Sequence, residues 1–227
     1  MTGWTVLVPV KPSVLGKSRL AVDAVDRVAI ARAVALDTIA AAAACEAVER
    51  VVVVTDDAGL VLQAADIPGL RFVEETPSAA EALTLPPTVL AGGLNGAIAR
   101  GAAAVGEGMP RAALLGDLPA LRSEDLAAAL SAAAIVDRGV VADAEGTGST
   151  LVTARAGIPW SSAFGEGSFA AHLALGFAAL PVPEDSTLRR DVDTADQLAQ
   201  ATALGLGRRT AALLAASPPR VLPNLGA

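Results

Sequence analysis

The sequence predicts an α/β protein, a three-layer α/β/α sandwich around a mostly parallel sheet, and three observations carry that expectation. Short apolar, often β-branched runs alternate with longer alanine-rich segments of helical period. Hydrophobic residues make up 53% of the chain and aromatics only 3%, which suits helices packed closely on a sheet better than an all-β sandwich. A length of 227 residues suits one such domain with a full core.

The elements follow in order. Thr5 to Val10 reads as the first strand, and residues 11–19 as a loop. Asp23 or Asp26 caps a long helix reaching about Cys45, with Val28, Leu36 and Ile39 among its apolar positions. Val51 to Val54, four β-branched residues in a row, forms the second strand and is closed by Thr55-Asp56-Asp57. A short helix to Ala65 leads through Pro68-Gly69 to a third strand near Arg71 to Val73. Glu74 to Gly93, with three prolines and a glycine pair, reads as a long loop, of a length that is usually functional or mobile. A helix from Leu94 to Val105 precedes a buried strand from Arg111 to Leu115, and Ser123 caps a helix reaching Val136. Val140 to Ala142 and Thr150 to Ala154 flank a Gly-rich turn, so this region is expected to be locally antiparallel. Ser168 caps a short helix containing His172, and Phe177 to Val182 leads into a Pro-rich turn. Thr194 and Gln197 have capping-box spacing for the next helix. Leu206 to Ala216 forms the last helix, so a single domain over residues 1–216 precedes a Pro-rich tail, 217–227.

Composition excludes several function classes. A formal charge of −7 argues against nonspecific nucleic-acid binding, so any anionic ligand needs a local basic or hydrogen-bonding pocket. One cysteine, Cys45, leaves no internal disulfide and reads as a buried inert thiol; one histidine leaves no multi-histidine zinc site. His172 itself reads as a surface or packing residue. With no signal peptide and no uncharged run of the roughly 18 residues a membrane span requires, the expected compartment is the cytoplasm, with no membrane partner. There is no G-x-S-x-G elbow, and Gly16-Lys17-Ser18 fails as a P-loop because Lys11 stands where that motif needs its first glycine.

Three places carry chemistry. Lys11 and Lys17, the only lysines of a chain otherwise using arginine, both lie in the loop after the first strand, with Arg19 beside them. A compact ammonium suits phosphate. Asp117 follows a buried strand and Gly116, where an open α/β sheet presents its carboxyl edge, and Asp191-Val192-Asp193 supplies further acids. Two such carboxylates from different elements suit one Mg²⁺ shared with phosphate oxygens, although Asp193 also stands where a helix cap is needed. Gly146-Thr147-Gly148-Ser149 and Phe164-Gly165-Glu166-Gly167-Ser168 offer backbone amides and hydroxyls to an anion, the first as a nest, the second at a helix start.

Taken together, Lys11 to Leu20 (K-x-x-x-x-x-K-S-R-L), Leu94-Asn95, Gly116-Asp117-Leu118-Pro119, Asp143 with Gly146 to Ser149, Phe164-Gly165 with Ser168, and Asp191 to Thr194 resemble the 2-phospho-L-lactate guanylyltransferase family. The actinobacterial branch of that family uses phosphoenolpyruvate in making the deazaflavin coenzyme F-420. The resemblance implies a nucleotidyltransferase fold of the nucleotide-diphospho-sugar transferase type and transfer of GMP from GTP to phosphoenolpyruvate or 2-phospho-L-lactate, with release of pyrophosphate. It implies Mg²⁺ on Asp117 and Asp191, the phosphorylated three-carbon acid on Ser149, Gly165 and Ser168, and Lys11, Lys17 and Arg19 along the GTP phosphates. Lys17, Arg19 and Asp117 are the implied catalytic groups, and Asn95 lies near guanine or ribose. Gly93 and Ser149 depart from the proline and threonine common in the family. A homodimer is compatible with the resemblance, but no residue fixes the oligomeric state. A transferase of the same fold acting on a sugar phosphate or 3-phosphoglycerate, or a non-catalytic nucleotide-binding protein, stands as the alternative.

Overall fold

The computed structural model describes residues 3–11, 26–90 and 92–216. Seven strands form one sheet: β1 (Trp4–Pro9), β2 (Val48–Val54), β3 (Leu70–Val73), β4 (Arg111–Leu114), β5 (Arg138–Ala142), β6 (Ser149–Ala154) and β7 (Ala178–Ala179). Their order is β3-β2-β1-β4-β6-β5-β7. β1 pairs in parallel with both β2 and β4, β2 with β3, and β5 with β7. Only β6 runs against its neighbours, Leu114 facing Leu151 across β4 and Val140 facing Val152 across β5. The sequence anticipated the β5–β6 hairpin; that β6 inserts between β4 and β5 had no local signal.

Both sheet faces are buried, which is why the strands are apolar almost throughout. On one face Val6, Val8, Val51, Val53, Ala112 and Leu114 meet helices α1 (Arg27–Ala43), α2 (Ala58–Gln63) and α6 (Ser123–Ala133). On the other, Leu7, Val52, Val54, Ala113, Val140 and Val152 meet α5 (Gly93–Val105) together with Phe164 and Phe177. The three-layer sandwich is as expected, and no helix of the described residues is long and apolar enough to cross a membrane.

Several boundaries differ from the sequence reading. Asp26 caps α1, accepting from Val28 N–H at 3.2 Å, and α1 ends before Cys45, which is buried just beyond it. The supposed loop 74–93 contains two short helices, α3 (Ala79–Ala82) and α4 (Pro87–Leu90). Ser78 and Glu81 close a capping box on α3, a signal present in the sequence and overridden by the prolines around it. Ser123 does not cap α6: its hydroxyl donates to the Ala41 carbonyl at 2.9 Å, tying α6 to α1, and the capping position falls on Arg122. Ser168 likewise opens α7 (Ser168–Ala174) as its first helical residue, after Gly167 in the left-handed region at φ 66°. The capping box of Thr194 and Gln197 on α8 (Ala195–Leu204) is present as expected. The final helix, α9 (Arg208–Ala216), starts two residues later than Leu206, and the expected tail lies outside the described residues.

Candidate active site

Because β6 is antiparallel, its first residue lies at the same sheet edge as the last residues of β1, β4 and β5. That edge therefore collects Lys11 after β1, Gly116-Asp117 after β4, Asp143 after β5 and Ser149 at the start of β6. They line one cleft of about 670 Å³ together with Thr147, Gly148, Gly165 to Ser168, Asp191 and Asp193. A cleft at the carboxyl ends of parallel strands, of a size that holds a drug-sized ligand, is where open α/β sheets bind small molecules.

The backbone sets Asp117. Gly116 passes so close to β1 that a Cβ there would stand 3.3 Å from the Pro9 carbonyl. The next amide, Leu118 N–H, donates to the Thr38 hydroxyl of α1 at 3.0 Å. The Asp117 carbonyl accepts from Val192 N–H at 2.9 Å, and Val192 is fully buried against Ile30, Val34 and Ala120. This contact docks the second acidic motif on the first, and one carboxylate oxygen each from Asp117, Asp191 and Asp193 lie within 4.8 Å of one another. A second trio, Asp143, Glu145 and Asp191, meets the same limit, so Asp191 stands between the two groups. Asp193 does not cap α8, whose cap is Thr194, and its carboxylate joins the cluster instead.

Crowding of like charge has a titration consequence. Burial first, then the charges of Asp117, Asp143 and Asp193, pushes the Asp191 carboxyl from 3.8 up to about 7. Asp191 Oδ1 is buried and has no hydrogen-bond partner among the described residues. Converging carboxylates with an unpartnered buried oxygen are the donor set of a hard, oxygen-seeking cation such as Mg²⁺, and the residues present fit one.

The other side of the cleft is a hydrogen-bonded wall. The turn 146–149 is not the open anion nest the sequence suggested, because its own Asp143 fills it. Asp143 Oδ1 accepts from Thr147 N–H at 2.9 Å and Oδ2 from Gly148 N–H at 2.6 Å. A Cβ on Gly148 would run into Asp143 Oδ2, so only glycine allows this approach. Ser149, at the end of the turn, hydrogen-bonds through Oγ to His172 Nδ1 at 3.0 Å. His172 is fully buried, not a surface residue, and its Nε2 accepts from Ala163 N–H at 2.9 Å. Burial pushes its pKa down. The segment that carries Ala163 is clamped by Asn95: Nδ2 donates to the Phe164 carbonyl at 2.8 Å, and Oδ1 accepts from Phe164 N–H at 2.9 Å and Ser162 Oγ at 3.0 Å.

The edge thus brings together Lys11, Asp117, Ser149, Gly165, Ser168 and Asp191 from the expected set. Asn95 departs from it: its amide is spent on residues 162–164, and the cleft is lined by Leu94 in its place. Lys17 and Arg19 lie outside the described residues. Sequence reasoning missed two contributors. Asp143 was read only as part of a motif, although its spacing to Thr147 and Gly148 is that of an acid closing its own turn. His172 gave no sequence signal, since its partners come from residues 149 and 163.

Residues 4–214 match the family model described as "Guanylyl transferase CofC like". Phosphoenolpyruvate guanylyltransferase of Thermomonospora curvata is 46% identical over 221 residues, covering 95% of this chain and 90% of the relative. That of Salinispora arenicola is 44% identical over 220 residues and 95% of each chain. Among solved structures, a nucleotidyl transferase from Methanothermobacter thermautotroptrophicus superposes with a TM-score of 0.55 at 17% identity, covering 89% of this chain and 97% of that one. A 4-diphosphocytidyl-2C-methyl-D-erythritol synthase gives 0.57 at 14% identity, covering 90% and 98%. At such identities the likeness is one of fold, and it is the nucleotidyltransferase fold expected from the sequence.

Proposed function

The chain belongs to the CofC-like guanylyl transferase family, and we propose that it transfers GMP from GTP to phosphoenolpyruvate, releasing pyrophosphate, as a step toward the deazaflavin coenzyme F-420. The relatives from Thermomonospora curvata and Salinispora arenicola, named for that acceptor, support this reading. The observation that carries it is the single cleft in which an acidic cluster faces a wall of hydroxyls and backbone amides.

The chemistry asks mainly for positioning. A phosphate oxygen of the acid attacks the α-phosphorus of GTP, the new P–O bond forms, and the bond to the β-phosphate oxygen breaks with its electron pair leaving on pyrophosphate. The acceptor phosphate is already ionised near neutral pH, so no catalytic histidine or cysteine is needed. Asp117 and Asp191, with Asp193 beside them, would hold Mg²⁺. The ion supplies neutralisation of the charge that develops on the phosphoryl oxygens. Ser149 and Ser168, with the amides of Gly165 to Gly167, hold the acid; those three amides make no hydrogen bond among the described residues. Lys11 at the cleft, with Lys17 and Arg19 from the same loop, lies along the triphosphate and stabilises the departing pyrophosphate. Asn95 serves this site by fixing residues 162–164 rather than by reading the base.

Phosphoenolpyruvate and 2-phospho-L-lactate present the same phosphate and carboxylate and differ in one planar or tetrahedral carbon. A wall that reads the two anionic groups leaves discrimination to shape, worth about 1–3 kcal/mol. Competing the two acids for limiting enzyme with GTP, and weighing the products by mass spectrometry, tests the acceptor. Enolpyruvyl product should dominate without excluding the other; a dominant lactyl product, or none from either acid, would overturn the assignment.

A further inference from the structure

The environment of His172 defines which of its nitrogens carries the proton. A backbone N–H can only donate, so the 2.9 Å contact from Ala163 N–H makes Nε2 an acceptor. Phe164 and Phe177 stand edge-on to the imidazole, each with ring centroids 5.1 Å away, and the ring is fully buried. In such a box the ring is neutral, and with Nε2 accepting, its one proton sits on Nδ1. At 3.0 Å the Ser149 hydroxyl must then accept from Nδ1–H, so its own proton is left to donate elsewhere.

Ser149 lines the cleft, and anionic groups of a bound acid only accept. With the opposite tautomer, Ser149 would donate to the ring and turn its lone pairs on that anion. We propose that His172 is a positioning residue: as the Nδ1–H tautomer it fixes Ser149 as a hydrogen-bond donor to the phosphorylated acid. This rests on the placement of that acid at Ser149 proposed above. Asn95 extends the same chain, since it holds the segment whose Ala163 amide sets the tautomer. The lone imidazole thus acts on substrate binding through the serine and never touches the reacting atoms.

Two measurements test it. The protein has one histidine, so long-range ¹H–¹⁵N correlation spectra of the unaltered enzyme report its tautomer without assignment. Nδ1 should appear protonated and Nε2 bare; an Nε2–H tautomer or an averaged pair would overturn the proposal. The kinetic arm uses His172→Gln, which places an amide near the position of Nε2, and His172→Asn, which places one near Nδ1. Losing a hydrogen bond to a charged group corresponds to about a 10–100-fold rise in the KM for phosphoenolpyruvate, expected of both Ser149→Ala and His172→Gln. The KM for GTP should stay within about twofold in each. The double variant should be no worse than Ser149→Ala alone, and His172→Asn should lie nearer the wild type. Additive penalties, equal effects of Gln and Asn, or a parallel rise in both KM values would overturn it. If the unaltered enzyme accepts no phosphorylated acid, the proposed function falls, while the tautomer spectrum still decides the part played by the imidazole.

Discussion

Replacing Asp191 with asparagine should stabilise the metal-free protein while destroying its response to divalent cations. The carboxyl of Asp191 titrates at about 7 when folded against 3.8 as its ordinary value. Between those values the folded state holds a proton that the unfolded chain has released. Stability is therefore complete below about pH 4 and is lost as pH rises through about 7. A shift of that size is worth roughly 4 kcal/mol at most. Solvent screening at this partly exposed edge reduces it to about 2 kcal/mol. For a chain of this length that is about 4–8 °C in Tm. Asp191→Asn keeps the shape and removes the charge. In calorimetry with a chelator present, the wild type should lose Tm between pH 5 and pH 8, and the variant should lose much less, melting several degrees higher at pH 8. Excess Mg²⁺ should raise the wild-type Tm more at pH 8 than at pH 5 and leave the variant nearly unchanged. A variant that melts no higher than wild type at pH 8, or a wild type indifferent to Mg²⁺ there, would refute the reading of these carboxylates as a cation site.

Lys17→Ala should lower turnover at saturating GTP by about 10²–10³, the scale of losing one preorganised charge stabiliser, and Lys17→Arg should not fully restore it because a planar fork differs from a point charge; wild-type turnover in the alanine variant would make the loop a surface feature. Asn95→Ala should release residues 162–164, raising the KM for phosphoenolpyruvate and lowering Tm, with little change in the KM for GTP; a selective rise in the KM for GTP would return Asn95 to the base or ribose.

The parts of the fold legible in the sequence are those written in local pattern. Val51 to Val54 followed by Thr55-Asp56-Asp57 announces a buried parallel strand and its end, and the Gly-rich turn between Ala142 and Ser149 announces a hairpin. The insertion of β6 between β4 and β5 depends on long-range pairing and leaves no such trace. At the site, Asp117 and Asp191 could be paired because each belongs to an acidic motif at an element boundary. What joins them, Val192 N–H on the Asp117 carbonyl, is a backbone contact no composition encodes. The same holds for His172, whose two partners lie 23 and 9 residues away on other elements. For Asn95, sequence order locates the residue near the site without saying that its amide bonds residues 162–164.

Guanylyl transfer itself is tested most directly by following label from GTP. The enzyme is incubated with Mg²⁺, phosphoenolpyruvate and GTP carrying ³²P at either the α or the γ position. Label from the α position should appear in a product containing guanosine and the three-carbon acid, and label from the γ position in pyrophosphate, in equal amounts. Both should vanish in Asp117→Asn. Label from the γ position in the acid or in free phosphate, or α label that never leaves GTP, would contradict transfer of GMP at this cleft.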